Sequence, residues 1–254
     1  MNRIKTLVIT GSGDGLGREI AIKASHNYKI ICLSKSDNVF DTYDLIKANS
    51  PDSCAIKVDI CDLNETAKKI QSLKLNNEPI GFILCAATLG EEGGIEKTDL
   101  NLWKNVFETN IIGNLNVIKS LLPQIKKSKH AKIILFSGGG AAYGYPKFSS
   151  YSLSKTATVR AAENLHLELL KYGDVTCLAL APGAMETKML EKVRKSGADI
   201  KTTVPINETR DFILKLMQEE ISYLSGKFIH VRDNVFKYNS SNIEKNRWML
   251  RRNE

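Results

Sequence analysis

Nothing in this 254-residue chain approaches the roughly 18 consecutive apolar residues of a membrane-spanning helix. The longest apolar runs, such as Ile133–Phe136, are strand-sized. No leader is expected, because Met1-Asn2-Arg3-Ile4-Lys5 runs directly into a strand pattern. These absences predict a cytoplasmic protein with no membrane partner. The five cysteines (Cys32, Cys54, Cys61, Cys85, Cys177) are odd in number and contain no Cys-x-x-Cys pair. Their apolar surroundings fit reduced core thiols better than a disulfide framework. His26, His130, His166 and His230 show no metal-ligand spacing, so no metal is expected. Internal repeats, low-complexity stretches and Pro/Gly-rich linkers are absent as well. The 36 Lys+Arg against 28 Asp+Glu leave a net charge of +8. With no nucleic-acid motif beside that charge, nucleic acid is not an expected partner.

What is present is a globular composition, 43% hydrophobic and 25% charged, which excludes disordered, collagen-like and coiled-coil chains. Short β-branched runs recur at 5–10, 29–33, 54–58, 81–86, 132–136, 175–180 and 227–231. Helical patterns lie between them, near 15–27, 41–49, 62–73, 100–126, 150–172 and 207–219. Strand and helix in alternation imply right-handed crossovers and a parallel sheet covered on both faces. The strands are apolar without clean alternation, as such burial requires. The expectation is an α/β fold with one doubly wound domain over residues 1–235 and a seven-stranded parallel sheet. Residues 236–254 form a basic tail, apolar only at Trp248, Met249 and Leu250, that could pack as an arm.

The first strand ends in Thr10-Gly11-Ser12-Gly13-Asp14-Gly15-Leu16-Gly17. Between a strand and a helix, such glycines allow a tight turn and bring backbone N–H groups to a pyrophosphate. The spacing is Thr-Gly-x-x-x-Gly-x-Gly, because Leu16 stands where Gly-x-Gly-x-x-Gly would have its third glycine. On its own the turn leaves an empty glycine-rich loop equally open. Further along, Tyr151 and Lys155 in Tyr-Ser-Leu-Ser-Lys lie four apart, on one helix face.

Together the two motifs resemble the classical short-chain dehydrogenase/reductase family, over about residues 5–231. Asp59-Ile60 resembles the family's adenine-contact pair, Asn110 its helix asparagine, and Pro182-Gly183-Ala184-Met185-Glu186-Thr187 its Pro-Gly-x-x-x-Thr. The resemblance implies a Rossmann-type fold and an NAD(P)-dependent oxidoreductase acting on a ketone or secondary alcohol. Tyr151 would exchange a proton with the substrate oxygen, its pKa lowered by Lys155 and the nicotinamide. Lys155 would also hold the ribose, and Asn110 would position the lysine and a water. Cofactor contacts are expected from Thr10, Gly11, Ser12, Asp14, Gly15, Leu16, Ser34, Lys35, Asp59, Ile60, Ala86, Tyr151, Lys155, Pro182, Gly183 and Thr187. A homodimer or homotetramer is implied through the 100–126 and 150–172 helices, where Ala157, Ala161 and Ala162 permit close approach.

Three places depart from the pattern. The family's catalytic serine stands thirteen before the tyrosine, where this chain has Gly138. Ser137 is one residue earlier, and one step along a strand reverses side-chain direction. Either the Gly138–Gly140 run shifts and Ser137 takes over, which is the expectation, or another group polarises the carbonyl, or the enzyme is impaired. Secondly, Cys85-Ala86-Ala87-Thr88 replaces Asn-Asn-Ala-Gly, so an asparagine bracing the sheet is absent. Thirdly, the acid that binds a ribose 2′-hydroxyl is replaced by Ser34 with Lys35 beside it, which favours NADP over NAD. Asp14 pulls the other way, since NADP-preferring relatives often carry a base there. After Pro182-Gly183, Lys188, Lys192, Arg194, Lys195 and Lys201 outnumber Glu186, Glu191 and Asp199. Such a lid either favours an anionic substrate or is a solvated amphipathic helix. A dinucleotide-binding protein that lost its chemistry with the serine is the alternative function.

Overall fold

A computed structural model describes residues 3–73, 75–198 and 200–251. Seven strands, β1 (Thr6–Thr10), β2 (Lys29–Ser34), β3 (Cys54–Lys57), β4 (Ile80–Leu84), β5 (His130–Phe136), β6 (Asp174–Ala181) and β7 (Phe228–His230), form one sheet. All neighbours are parallel and the order is β3-β2-β1-β4-β5-β6-β7. The helices are α1 (Gly15–Ala24), α2 (Asn38–Ile46), α3 (Leu63–Gln71), α4 (Leu100–Phe107), α5 (Asn114–Ser128), α6 (Ser149–Leu169), α7 (Lys188–Lys195) and α8 (Ile206–Gln218).

Strand periodicity explains why the apolar runs are continuous. Leu7 and Ile9 of β1 face one core with Ile20 of α1, Val39 of α2 and Ile213 of α8. Val8 between them faces the other, with Ile70 of α3, Val117 of α5 and Val159 of α6. Each fully buried side chain of this kind contributes about 1.5–3 kcal/mol. Because β1 hands on to β2 on one side and β4 to β5 on the other, the crevice at their carboxyl ends is the switch point where such sheets bind ligands.

The single helix expected over 100–126 is broken. A π-helical turn, Glu108–Gly113, separates α4 from α5. Gly113 there packs so tightly that a Cβ would lie 2.7 Å from Ile60. The turn also turns Asn110 and Asn114 inward, and both are buried. The segment read as a lid or a solvated amphipathic helix holds α7; Thr187 caps it, its Oγ1 accepting from the Leu190 N–H at 3.3 Å. Residues beyond β7 fold back along the outer sheet edge. The Phe228 N–H donates to the Trp248 carbonyl at 2.7 Å, and Lys227 Nζ to those of Lys245 and Arg247. Trp248 stacks edge-on against Tyr238, so this edge is covered.

Candidate active site

The glycine turn is built for close approach. Gly11 has φ +66°, and a Cβ there would lie 3.0 Å from the Ala86 backbone; one on Gly17 would lie 2.5 Å from the Gly11 carbonyl. Asp14 caps α1 by accepting from the Gly15 N–H at 2.8 Å. Among the described residues, no acceptor takes the backbone N–H groups of Leu16 and Gly17. They are free for an anion at this helix N-terminus. From here a cleft of about 630 Å³ runs past Ala86 and Thr88 to Tyr151 and Lys155, under a roof of Pro182, Met185 and Thr187. This cradle fits a dinucleotide. Lys188 closes its rim with an ion pair to Asp14 at 2.5 Å.

Thr10 and Ser12, expected in contact with cofactor, lie fully buried beneath the turn. The Thr10 hydroxyl donates to Asn114 Oδ1 at 2.9 Å and accepts from the Ala86 N–H at 3.0 Å. Asn114 Nδ2 donates to the Ala86 carbonyl at 3.0 Å, closing a triangle that ties the ends of β1 and β4 to α5. Asn114 therefore does the bracing whose asparagine is missing from β4. Its signal was present in the sequence, one turn after Asn110 on the same face. Ser12 Oγ donates to the Leu33 carbonyl at 3.3 Å. Ser34, which ends β2, and Lys35, Asp59 and Ile60, which follow β2 and β3, lie outside the walls of the deep cleft. Ser34 and Ser36 hydroxyls are 3.3 Å apart, with Lys35 exposed between them.

Tyr151 and Lys155 occupy the first two turns of α6. The Lys155 ammonium sits 5.3 Å from the Tyr151 ring centre and donates to the Phe136 carbonyl at 2.8 Å. Burial holds Lys155 down to about 8. Burial, with Tyr145 adding to it, pushes Tyr151 up to about 12, opposite to the lowering expected with cofactor and lysine acting together. Without another charge beside it the phenol keeps its proton at neutral pH. Asn110 spends its side chain on a clamp: Oδ1 accepts from the Thr88 N–H at 2.7 Å, while Nδ2 donates to the Thr88 carbonyl and to Ser154 Oγ at 2.9 Å. This fixes the loop after β4 to α6 beside Lys155.

Ser137 does not reach the phenol. Its hydroxyl is buried and donates to the Lys155 carbonyl at 2.8 Å, and its N–H continues the ladder to Leu180 at 2.8 Å. The expected takeover is therefore corrected: the backbone has not shifted, and alternation turns Ser137 toward α6. Gly138 is the position that faces the site, where a Cβ would lie 3.7 Å from the Tyr151 hydroxyl.

Beyond Tyr151 the cleft opens into a second compartment of about 410 Å³, between Gly138–Gly140, Tyr145, Gly183 and α7. Met185, Met189, Leu190 and Val193 supply its apolar wall. Lys201, Thr202, His230 and Arg232 line it as well.

A model of the short-chain dehydrogenase family matches residues 5–198. The chain belongs to that family. This dehydrogenase is 29% identical over 191 residues to an uncharacterized oxidoreductase of Bacillus subtilis (strain 168), covering 74% of this chain and 68% of that one. It is 22% identical over 246 residues to a 3-oxoacyl-[acyl-carrier-protein] reductase of Staphylococcus aureus, covering 93% and 100%. A solved short-chain dehydrogenase from Escherichia coli CFT073, complexed with NADPH, shares its fold at a TM-score of 0.81 and 19% identity, covering 91% and 98%. The dehydrogenase is thus an oxidoreductase that works with a nicotinamide dinucleotide on a small molecule. Among its described residues no helix is long and apolar enough to cross a membrane.

Proposed function

We propose that this dehydrogenase reduces a small ketone to a secondary alcohol with NADPH, Tyr151 serving as proton donor. One observation carries the reading: Tyr151 stands where the dinucleotide-sized cleft and the apolar compartment meet. Bound in the cleft, the nicotinamide supplies the hydride. Backbone N–H groups of the Gly11–Leu16 turn would hold the pyrophosphate, Lys155 the ribose, Asp59 and Ile60 the adenine, and Pro182, Gly183 and Thr187 the nicotinamide side. The chain's own chemistry is to hold the carbonyl against the phenol and give its oxygen a proton. Burial keeps Tyr151 protonated, the state in which it can donate. Lys155, at about 8, is still charged at neutral pH and favours the phenolate left behind.

The preference for NADPH is supported by what ends β2. Ser34, Lys35 and Ser36 offer hydroxyls and a cation, and Asp37 nearby is paired with Lys57 at 2.8 Å. Asp14, the residue opposing this preference, is neutralised by Lys188. We read the working form as a cytoplasmic homodimer or homotetramer of a 1–235 domain with an appended tail. Ile112, Leu153 and Leu167 are exposed on the helices concerned, although Ala162 is turned into the core. A strictly monomeric mass by light scattering at micromolar concentration would count against that assembly.

The test is a panel of ketones and secondary alcohols followed at the nicotinamide absorbance with both cofactors. Tyr151→Phe should abolish turnover and leave NADPH affinity within a few-fold, because it removes the proton and none of the phosphate contacts. Retention of most activity by Tyr151→Phe would overturn the assignment.

A further inference from the structure

Of the cations in the lid sequence, Lys201 alone lines the substrate compartment among the described residues. On α7, Lys188 is paired with Asp14, and Arg194 holds Glu186 through two bonds. Asp199 lies outside the described residues. Besides Lys201 the compartment carries Arg232, just beyond β7, and among the described residues none of those lining it is acidic. Among the described residues neither Lys201 nor Arg232 forms an ion pair.

Arg232 is held ready. Its Nη1 donates to Thr202 Oγ1 and its Nη2 to the Thr203 carbonyl, both at 2.9 Å. The strand of chain it grips is itself anchored, since the Val204 N–H donates to the Ala184 carbonyl at 2.7 Å. Two of the five guanidinium N–H donors are used, which orients the fork and leaves the others for a ligand. The Arg232 backbone N–H donates to His230 Nδ1 at 3.0 Å, so the proton of the neutral ring sits on Nε2. Burial lowers the His230 pKa, which keeps the ring neutral and Nε2 a donor on the same wall.

We propose that Arg232, assisted by Lys201, is the specificity-determining anchor for a carboxylate or phosphate on the substrate. An apolar segment lying along Met185 and Met189 would separate this anion from the carbonyl held at Tyr151. The inference rests on the oxidoreductase reading and names the substrate class of that site. Because Arg232 and Lys201 are exposed at the mouth, water competes for them, and the gain belongs at the lower end for charge-assisted hydrogen bonds. An effect of about tenfold in affinity follows.

Two matched pairs test this on the enzyme–NADPH complex. One is 6-oxoheptanoate against its methyl ester; the other is a 3-oxobutanoyl phosphopantetheine thioester against its dephosphorylated pantetheine thioester. The arms separate a carboxylate source from a phosphate source. Both kcat/KM and, with Tyr151→Phe and NADPH, calorimetric affinity are measured. The anionic member of at least one pair should be favoured about tenfold. Arg232→Gln should bring that ratio toward one, Arg232→Lys should recover part of it, and Lys201→Gln, which touches none of the bonds made by Arg232, should lower it. Equal affinity within both pairs, or a preference that survives Arg232→Gln, overturns the proposal. Turnover without preference refutes the anchor alone. A calorimetric preference without turnover of any substrate supports the anchor and refutes the reduction reading.

Discussion

Gly138→Ser places a hydroxyl where this dehydrogenase has none. The backbone permits it, because Gly138 has φ 179° and ψ 174°, an extended conformation open to any residue. Among the described residues a Cβ there meets only the Tyr151 hydroxyl, at 3.7 Å, an ordinary contact. A hydroxyl one bond further reaches within about 3 Å of the phenol oxygen, so both groups converge on one substrate oxygen. Loss of such a donor typically lowers a rate by about 10²–10³. A grafted donor lacks neighbours that fix its rotamer, so a gain of about 10- to 100-fold in kcat/KM is expected. The assay is NADPH consumption with whichever ketone the wild type reduces, with the thermal midpoint read in parallel. Ser137→Ala is the companion variant. It leaves the Lys155 carbonyl without the serine's bond and should cost about 1 kcal/mol of stability while changing turnover little. A hundredfold loss of turnover in Ser137→Ala at unchanged stability, with no gain in Gly138→Ser, would refute the reasoning.

Ser34→Asp should turn the cofactor preference toward NADH, by setting a carboxylate against the 2′-phosphate; titration of both cofactors checks it, and an unchanged preference counts against the 2′-site. Lys155 has a folded pKa of about 8 against an ordinary 10.5, so between these values the unfolded chain binds more protons and stability rises with pH. Lys155→Met should remove that slope from urea unfolding of the cofactor-free protein between pH 8 and 10.5. It should also stabilise that protein at pH 7 by up to about 3 kcal/mol. Identical slopes in the two proteins would show that the ammonium is not held in a desolvated place.

The parts of the site legible in the sequence are those whose geometry is local. Four residues along a helix put Tyr151 and Lys155 on one face whatever surrounds them. A strand followed by Thr-Gly-x-x-x-Gly-x-Gly makes a tight strand-to-helix turn almost by itself. The parts that were not legible depend on topology. The Thr10–Asn114 bond joins residues 104 apart, and it exists because β4 lies beside β1 and the π-helical turn rotates Asn114 toward both. Arg232 reaches the substrate compartment only because β7 ends beside β6 and Gly183. No period along the chain carries either contact.

Ser137 shows where a local rule should have been trusted further. Strand alternation already argued that it points away from the phenol, and the glycines after it suggested a rearrangement. A rearrangement at Ser137 has to begin in β5, whose register is fixed on both faces. Ile133 and Leu135 belong to one core and Ile134 and Phe136 to the other, so a one-residue slip would exchange all four. The ladder continues through the Ser137 N–H, and the hydroxyl then fastens β5 to the carbonyl of Lys155 itself. Freedom begins only at Gly138, one residue too late to turn Ser137 around. Ser137 therefore belongs to the packing of β5 against α6 at the Lys155 carbonyl, and the open position opposite the phenol belongs to residue 138.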